Sequence, residues 1–477
     1  ANRGAGHYLN GSEEHPPPTP PHTRKCSWGR GERRHPVSMT HIDSILDRLT
    51  ALHPKRIDLS LERIETLLAA LGHPERNLPP VIHVAGTNGK GSTVTFLRSI
   101  LEAAGLSVHT YTSPHLVRFN ERFRIGGKGE GPFVSAQELA AAMEDCERAN
   151  ASRPITVFEI TTAAGMLLFS RNPADVLVLE VGLGGRLDAT NVIEQPLASV
   201  ITRISIDHTD FLGTSLAQIA AEKAGIMKRN VPAIVAAQHR DALQVIERQA
   251  ARLSAPLRIA GEDFTATEER GRLVYQDDNG LLDLPPPRLY GRHQYENAGL
   301  AIATLRAIER FRIPHAAYET GIARADWPAR MNRLTQGALV DLAPAGSEVW
   351  LDGGHNPDGG RAVAAAFADL EERVSRPLVM IVGMLASKDC EGFLRNFTGL
   401  ARRMIAVPVP GSEKSVPAEA LANTARGIGL SATSRDNIAE AFEAVRKLDL
   451  DPPPRVLITG SLYLAGEVLK QNGTLPQ

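Results

Sequence analysis

Residues 81–93, Val-Ile-His-Val-Ala-Gly-Thr-Asn-Gly-Lys-Gly-Ser-Thr, restrict the fold more than any other stretch of the chain. The run Val81 to Ala85, rich in β-formers, enters three glycines in quick succession, Gly86, Gly89 and Gly91. Glycine tolerates positive φ and lets backbone N–H groups close around a polyanion. Ser92 and Thr93 then open a helical pattern, Phe96 to Leu101, whose N-terminus favours the same anion. The stretch predicts a strand, a phosphate-binding turn and a helix, and hence an α/β protein that holds a nucleotide. Lys90 would reach the outer phosphates and Ser92 would offer a hydroxyl to Mg²⁺, with Thr87 and Asn88 completing the turn. A plain tight turn needs one or two glycines but not the lysine and the hydroxyl as well. The spacing departs from G-x-x-x-x-G-K-[ST], because only two residues separate Gly86 from Gly89 and Gly91 intervenes between Lys90 and Ser92.

Beyond this turn, short β-branched runs alternate with helical patterns. Candidate strands are 81–85, 108–111, 176–181, 198–201 and 233–237, and candidate helices are 136–149, 161–169 and 216–227. Such alternation predicts a mostly parallel sheet covered by helices on both faces, with ligands at the carboxyl ends of its strands. A second series has candidate strands at 338–342, 349–352, 378–382, 405–407 and 456–459, and helices at 361–375, 418–425 and 437–448. It predicts a second doubly wound unit of ordinary domain size. The chain is thus expected to divide into a disordered extension (1–38), an ATP-binding domain (39–327), a hinge (328–335) and a C-terminal α/β domain (336–477). Residues 1–38 carry Pro16-Pro-Pro-Thr-Pro-Pro21 and no apolar segment able to build a core. Met39, just before the helical pattern Ile42, Ile45, Leu46 and Leu49, is a candidate start of the functional protein.

Lys and Arg number 53 against 54 Asp and Glu, a balance that leaves no electrostatic footprint for nucleic acid or an anionic membrane. No apolar run reaches the ~18–20 residues a membrane helix needs. Cys26, Cys146 and Cys390 are far apart and form no C-x-x-C pair, which points to reduced thiols in a cytoplasmic protein. Small molecules are the expected partners.

Charged residues recur at strand ends. Glu180 closes the apolar run Val176-Leu-Val-Leu and precedes Gly182, Gly184 and Gly185, which delivers a carboxylate to the sheet edge. A phosphate-bound Mg²⁺ needs such a hard oxygen ligand there, although a solvated glutamate is the plainer alternative. Asp352, also at a strand end, is followed by two glycines, so the second unit presents either its own ligand loop or a simple turn. Lys388-Asp389 reads equally as a solvated pair or a functional one.

Nine segments follow one another in a telling order: Gly86-Thr-Asn-Gly-Lys-Gly-Ser92, Thr112-Ser-Pro-His-Leu116, Arg118-Phe-Asn-Glu-Arg122, Glu180 through Asn191, Ile206-Asp-His-Thr-Asp210, Glu222-Lys-Ala-Gly-Ile226, His293-Gln-Tyr-Glu-Asn297, Trp327-Pro-Ala-Arg330 and Asp352-Gly-Gly-His-Asn-Pro357. Together, over about residues 40–470, they resemble the bacterial bifunctional folylpolyglutamate synthase/dihydrofolate synthase family of the Mur ligase superfamily. The resemblance implies a P-loop-containing Mur-ligase-like ATPase domain followed by a smaller Rossmann-like domain. It implies an ATP-dependent amide ligase that joins L-glutamate to dihydropteroate, and to the γ-carboxyl of folates, through an acyl phosphate.

The same resemblance implies two Mg²⁺ sites, with Ser92, Ser113, Glu180 and His208 as ligands. Lys90, His208 and Lys223 would be catalytic, Lys223 in carbamylated form. Asn297, beside His293 and Gln294, would read adenine, while Arg330, Asp352 and His355 would grip phosphates and ribose. Arg122 and Phe158 would line the acceptor pocket, and Asp188 could hydrogen-bond the 2-amino and ring N–H groups of a pterin. For Asp188 a turn bonding its own backbone, and for Phe158 core packing, are the plainer readings. A monomer is expected. Two rivals stand beside this reading. A Mur-type ligase acting on a UDP-linked cell-wall precursor usually carries a further N-terminal domain, where only about 40 residues expected to be ordered precede the loop here. A nucleotide-switched binding module would leave Arg186-Leu-Asp188, His208 and Lys223 without purpose.

Overall fold

The computed structural model describes residues 39–50 and 58–477; the expected disorder of residues 1–38, the proposed role of Met39 as a start, and Cys26 concern features outside what is described of structure or side chain. Seven strands form the first sheet: β1 Val81–Ala85, β2 Val108–Tyr111, β3 Phe123–Arg124, β4 Val176–Glu180, β5 Ala198–Ile201, β6 Ala233–Val235 and β7 Leu257–Ile259. Their order is β3-β2-β4-β1-β5-β6-β7, parallel throughout except where β3 runs against β2. β1 and β4 are buried at every position, which is why they read as unbroken apolar runs.

Ile82, Val84, Val176 and Val178 face one layer of helices, packing with Phe96 and Leu97 of Lys90–Ala103, Leu300 of Arg292–Ala307 and Ile322 of His315–Arg324. Val81, Leu177 and Leu179 face the other, with Ile42, Ile45 and Leu49 of Met39–Thr50, Met143 of Ala136–Asn150 and Phe169 of Val157–Arg171. Val84 pairs with Glu180, so the turn after β1 and the carboxylate ending β4 leave the sheet side by side. The crevice outside the carboxyl ends of such a sheet is where ligands bind.

One helix begins earlier than its periodicity predicts. Thr156 Oγ1 accepts the Glu159 N–H at 3.2 Å while Glu159 Oε2 accepts the Thr156 N–H at 2.8 Å, a reciprocal cap that starts the helix at Val157 instead of Thr161. Phe158 therefore sits inside the first turn, and Glu159 is committed to the cap and to Arg63. An antiparallel meander, β8 Phe264–Glu269, β9 Arg272–Asp277 and β10 Gly280–Leu284, was not anticipated from the sequence.

The second large sheet contains β11 Asn332–Leu334, β12 Glu348–Leu351, β13 Leu378–Val382, β14 Ala401–Ala406, β15 Ala432–Ser434 and β16 Arg455–Thr459. Their order is β11-β12-β16-β13-β14-β15, parallel except for β11. The strand expected at 338–342 is a turn. Gly337 adopts φ of 116°, and Asn472 Oδ1 accepts the N–H groups of Leu339 (3.0 Å) and Val340 (3.3 Å), so side-chain bonds replace a ladder. The sheet edge is occupied instead by β11, which lies within the stretch expected as a hinge. Because β16 lies between β12 and β13, the loops after all three strands emerge together.

Candidate active site

The loops at the carboxyl edges of the two large sheets enclose one cavity of about 650 Å³. From the first sheet come Gly86 to Ser92, Ser113, Glu180 to Gly184, Asp207 and His208. From the second come Asp352 to His355, Leu385, Ser387, Lys388 and Gly460 to Tyr463, with Asn297 and Arg330 also on the wall.

The phosphate turn is held open by close packing. A Cβ on Gly89, where φ is 90°, would fall 2.4 Å from Asn297 Oδ1, and one on Gly91 would fall 2.6 Å from Trp327 Nε1. Thr87 N–H and Asn88 N–H donate to Arg203 O at 3.0 and 3.2 Å, which fixes the turn to the loop after β5. Lys90 Nζ folds over the turn, 3.1 Å from Gly86 O and 3.2 Å from Thr87 O. Burial pulls its pKa down, with Glu180 and Asp207 opposing.

Glu180 is buried, and its Oε2 accepts the Ser113 N–H at 3.2 Å. Burial raises its pKa, while Lys90 and Arg330 lower it. Ser92 is buried at the same wall. Lys223 is buried as well, its Nζ donating to Gly86 O at 2.9 Å. Desolvation, and then Lys90, bring its pKa down to about 7. His208 adopts φ of 53° and keeps an exposed ring 3.5 Å from Lys388 Nζ. Desolvation in the cleft lowers its pKa to about 4, with Asp207 opposing and Lys388 and Lys90 adding to the fall.

Asn297 donates to Gln294 Oε1 at 3.0 Å and touches the turn at Gly89. Arg330 donates to Ala329 O at 2.8 Å; its guanidinium, depressed by burial, feels Asp352 and Glu180 without forming an ion pair among the described residues. Asp352 is buried, its two oxygens accepting Gly354 N–H (2.6 Å) and Met331 N–H (2.9 Å). The plain turn and the cavity wall thus coincide there. His355 Nδ1 lies 2.8 Å from Gly353 O.

Three expected acceptor residues lie behind the wall and do not line the cavity. Phe158 packs against Gly182, where a Cβ would meet its ring at 2.2 Å. Arg122 Nε donates to His115 Nδ1 at 3.1 Å, its guanidinium 4.9 Å from the Phe119 ring centroid. Asp188 is buried, and its carboxylate bonds Thr190 and the backbone of the 182–183 loop.

Several wall residues carried no role in the sequence reading. Asp207 accepts Lys388 Nζ at 2.6 Å and Asn356 Nδ2 at 3.0 Å, and Asn88 Nδ2 donates to Asn356 Oδ1 and Asp358 Oδ2, both at 3.1 Å. Lys388, read as solvated or functional, is buried in this link. Ser461 caps the helix Leu462–Asn472 on the cavity wall. Its signal was available: a serine follows Gly460 at the end of a buried strand.

Residues 84–305 match the Mur ligase middle domain, and residues 332–462 match the glutamate ligase domain of Mur ligases. The folylpolyglutamate synthase of Lacticaseibacillus casei is 35% identical over 420 residues, covering 85% of this chain and 92% of that protein. The chain belongs to the folylpolyglutamate synthase/dihydrofolate synthase family of Mur ligases. Solved structures of this synthase family superpose along nearly the whole chain. The E. coli FolC structure in complex with DHPP and ADP aligns with TM-score 0.80 at 33% identity, covering 90% of this chain and 97% of its own. A bifunctional folylpolyglutamate synthase/dihydrofolate synthase with Mn, AMPPNP and L-glutamate bound aligns with TM-score 0.77 at 30% identity, covering 91% and 97%. The fold of this family member is accordingly the α/β pair expected from the sequence.

Proposed function

We propose that the chain is an ATP-dependent ligase that joins the amine of L-glutamate to the carboxylate of dihydropteroate and to the γ-carboxyl of folates. The observation that carries this reading is the shared cavity, where a lysine-tipped phosphate turn and Glu180 from one sheet meet the Asp352–His355 loop of the other. Relatives with DHPP and ADP, or with Mn, AMPPNP and L-glutamate, support the same set of ligands.

In the reaction, the acceptor carboxylate attacks the γ-phosphorus of ATP and ADP leaves. The glutamate amine then attacks the acyl carbon, releasing inorganic phosphate and a proton. Lys90 and Arg330 would spread the charge of the transferring phosphoryl group; both are half-buried cations whose side chains bond here only to backbone carbonyls, weak partners compared with a polyphosphate. Asn297 would meet the base, and Asp352 and His355 would hold ribose and phosphates. No side-chain nucleophile is needed, because phosphate already activates the acid.

The donor set fits a hard cation. Among the described residues no three His, Cys, Asp or Glu side chains form a metal cage, so Mg²⁺ would be held by Ser92, Ser113 and Glu180, with His208 at a second site, completed by phosphate oxygens and water. When bound, Mg²⁺ supplies charge neutralisation to the phosphates. The buried amine of Lys223, with its pKa near 7, is suited to take up CO₂ as a carbamate, which would add an anionic oxygen to this wall. Arg122 and Phe158 would shape the acceptor pocket from behind. The link from Asp207 to Lys388 would help to keep water from the acyl phosphate. A monomer in a cytoplasmic setting completes this reading, with Cys146 and Cys390 as free thiols.

Incubation with ATP, Mg²⁺, dihydropteroate and glutamate should release ADP together with dihydrofolate, and a reduced folate as acceptor should yield a lengthened glutamyl chain. Absence of both products would overturn the reading.

A further inference from the structure

A histidine in the middle of a wholly buried parallel strand is an unusual choice. His83 has no exposed surface, and its ring leaves Nδ1 without a hydrogen-bond partner. Its other nitrogen, Nε2, lies 2.9 Å from Thr190 Oγ1. The direction of that bond follows from the next one. Thr190 Oγ1 lies 2.6 Å from Asp188 Oδ1, and Thr190 N–H donates to the same oxygen at 3.0 Å. A carboxylate so placed accepts, so the threonine hydroxyl donates to Asp188 and must accept from His83 Nε2–H. Asp188 Oδ2 in turn accepts the Leu183 N–H at 2.8 Å, and the Gly182 N–H also bonds the carboxylate.

We infer that His83 and Thr190 are positioning residues for the carboxylic-acid acceptor, acting through Asp188 to hold the Gly182–Leu183 backbone that forms one wall of the cavity. The Asp188 carboxylate takes these donors from the protein itself, and the relay sets where it and the adjoining wall lie. The device is separate from the phosphate turn, although His83 lies on the strand that leads into it. β1 is held by backbone pairing, with His83 opposite Leu179 and Ser199, and the turn has its own anchors at Arg203 O. The far end of the 182–185 loop is fastened elsewhere, by Arg186 N–H on Glu222 O at 2.7 Å. Loss of the His83 relay should therefore loosen only the near end.

The inference rests on the proposed acceptor chemistry, and the experiment separates the two. The intact protein and the variants Thr190→Val, Thr190→Ser, His83→Leu and His83→Gln are assayed for KM of dihydropteroate and KM of ATP. Thr190→Val and His83→Leu, which break the relay on different elements, should each raise the acceptor KM at least fivefold and leave the ATP KM within twofold. Thr190→Ser and His83→Gln, which keep a hydroxyl and an N–H donor, should stay within twofold of the intact protein for both. An unchanged acceptor KM in either folded breaking variant, an equal rise in both KM values, or conservative variants as impaired as the breaking ones would overturn the inference. If Thr190→Val or His83→Leu fails to fold, the other breaking variant decides. An intact protein inactive on dihydropteroate and folates would overturn the acceptor assignment and the inference with it.

Discussion

Lys388 Nζ lies 2.6 Å from Asp207 Oδ1, and the two residues belong to loops of different sheets. Asn356 donates to the other oxygen of Asp207, so a carboxylate of the first domain gathers two donors from the second. Burial pushes the Asp207 carboxyl up, but the His355 imidazole 3.6 Å away and the charges of His208 and Lys388 outweigh it and hold the group well below the usual carboxylate range. Both side chains are almost covered, so removal of one strands the other.

Lys388→Met should accordingly lower kcat/KM about 30-fold, the effect of losing roughly 2 kcal/mol from a buried interfacial pair. Asp207→Asn should do the same. Steady-state kinetics on the two single variants and the double variant checks this; strictly additive losses would show that the pair does not act as a unit.

Glu180→Gln removes a charge at nearly constant shape. ADP release in the presence of Mg²⁺ should fall about 100- to 1,000-fold, the scale for loss of a group that stabilises charge in a transition state. Nucleotide binding measured calorimetrically without Mg²⁺ should be unchanged or tighter, because a negative charge leaves the phosphate pocket.

Lys223 carries a pH signature. Its folded pKa near 7 lies far below the model-peptide value near 10.4, so above about pH 7 the amine is neutral and able to react with CO₂, and below it the ammonium is inert. The initial rate should fall as pH drops from about 8 to about 6, and removal of dissolved CO₂ at about pH 8 should lower it in the same manner, with bicarbonate restoring it. Native mass spectrometry would detect the added carboxyl; Lys223→Arg should show neither the mass nor the bicarbonate response.

His83 predicts an acid limb in stability. Full burial, with Lys228 adding to it, lowers the folded pKa to about 3. The unfolded chain takes up a proton near pH 6.5 that the folded ring refuses until about pH 3, so stability is intact above that window and is lost as pH falls through it. From about pH 7 to about pH 5 this group alone should remove about 2 kcal/mol. Denaturant midpoints across that range should fall less steeply for His83→Gln.

Much of this architecture is legible from local sequence. Gly86 to Ser92 is contiguous, and Glu180 and Asp352 announce themselves as acids at the ends of apolar runs, because a parallel strand and its ligand loop are adjacent in the chain. What escaped is non-local or polar. Lys388 and Asp207 stand 181 residues apart, and only the apposition of two sheets gives either one a partner. The meander of β8 to β10 carries Thr-Ala-Thr-Glu-Glu on a largely exposed strand, so it lacks an apolar run. Val340 and Leu342 look like strand residues, but Asn472 captures the backbone first. For Asp188 the sequence reveals the acid and not the donors that surround it, so a pterin contact and a local turn both stayed open.

Neither half of the molecule owns its binding chamber. The phosphate turn leaves β1 of one sheet and Asp352 leaves β12 of the other, so the chamber exists only while these edges face each other. Two substrates and a nucleotide must therefore fit between surfaces that no single sheet carries, and the bonds of Asn88 and Asp207 to Asn356, Asp358 and Lys388 set the width of that gap.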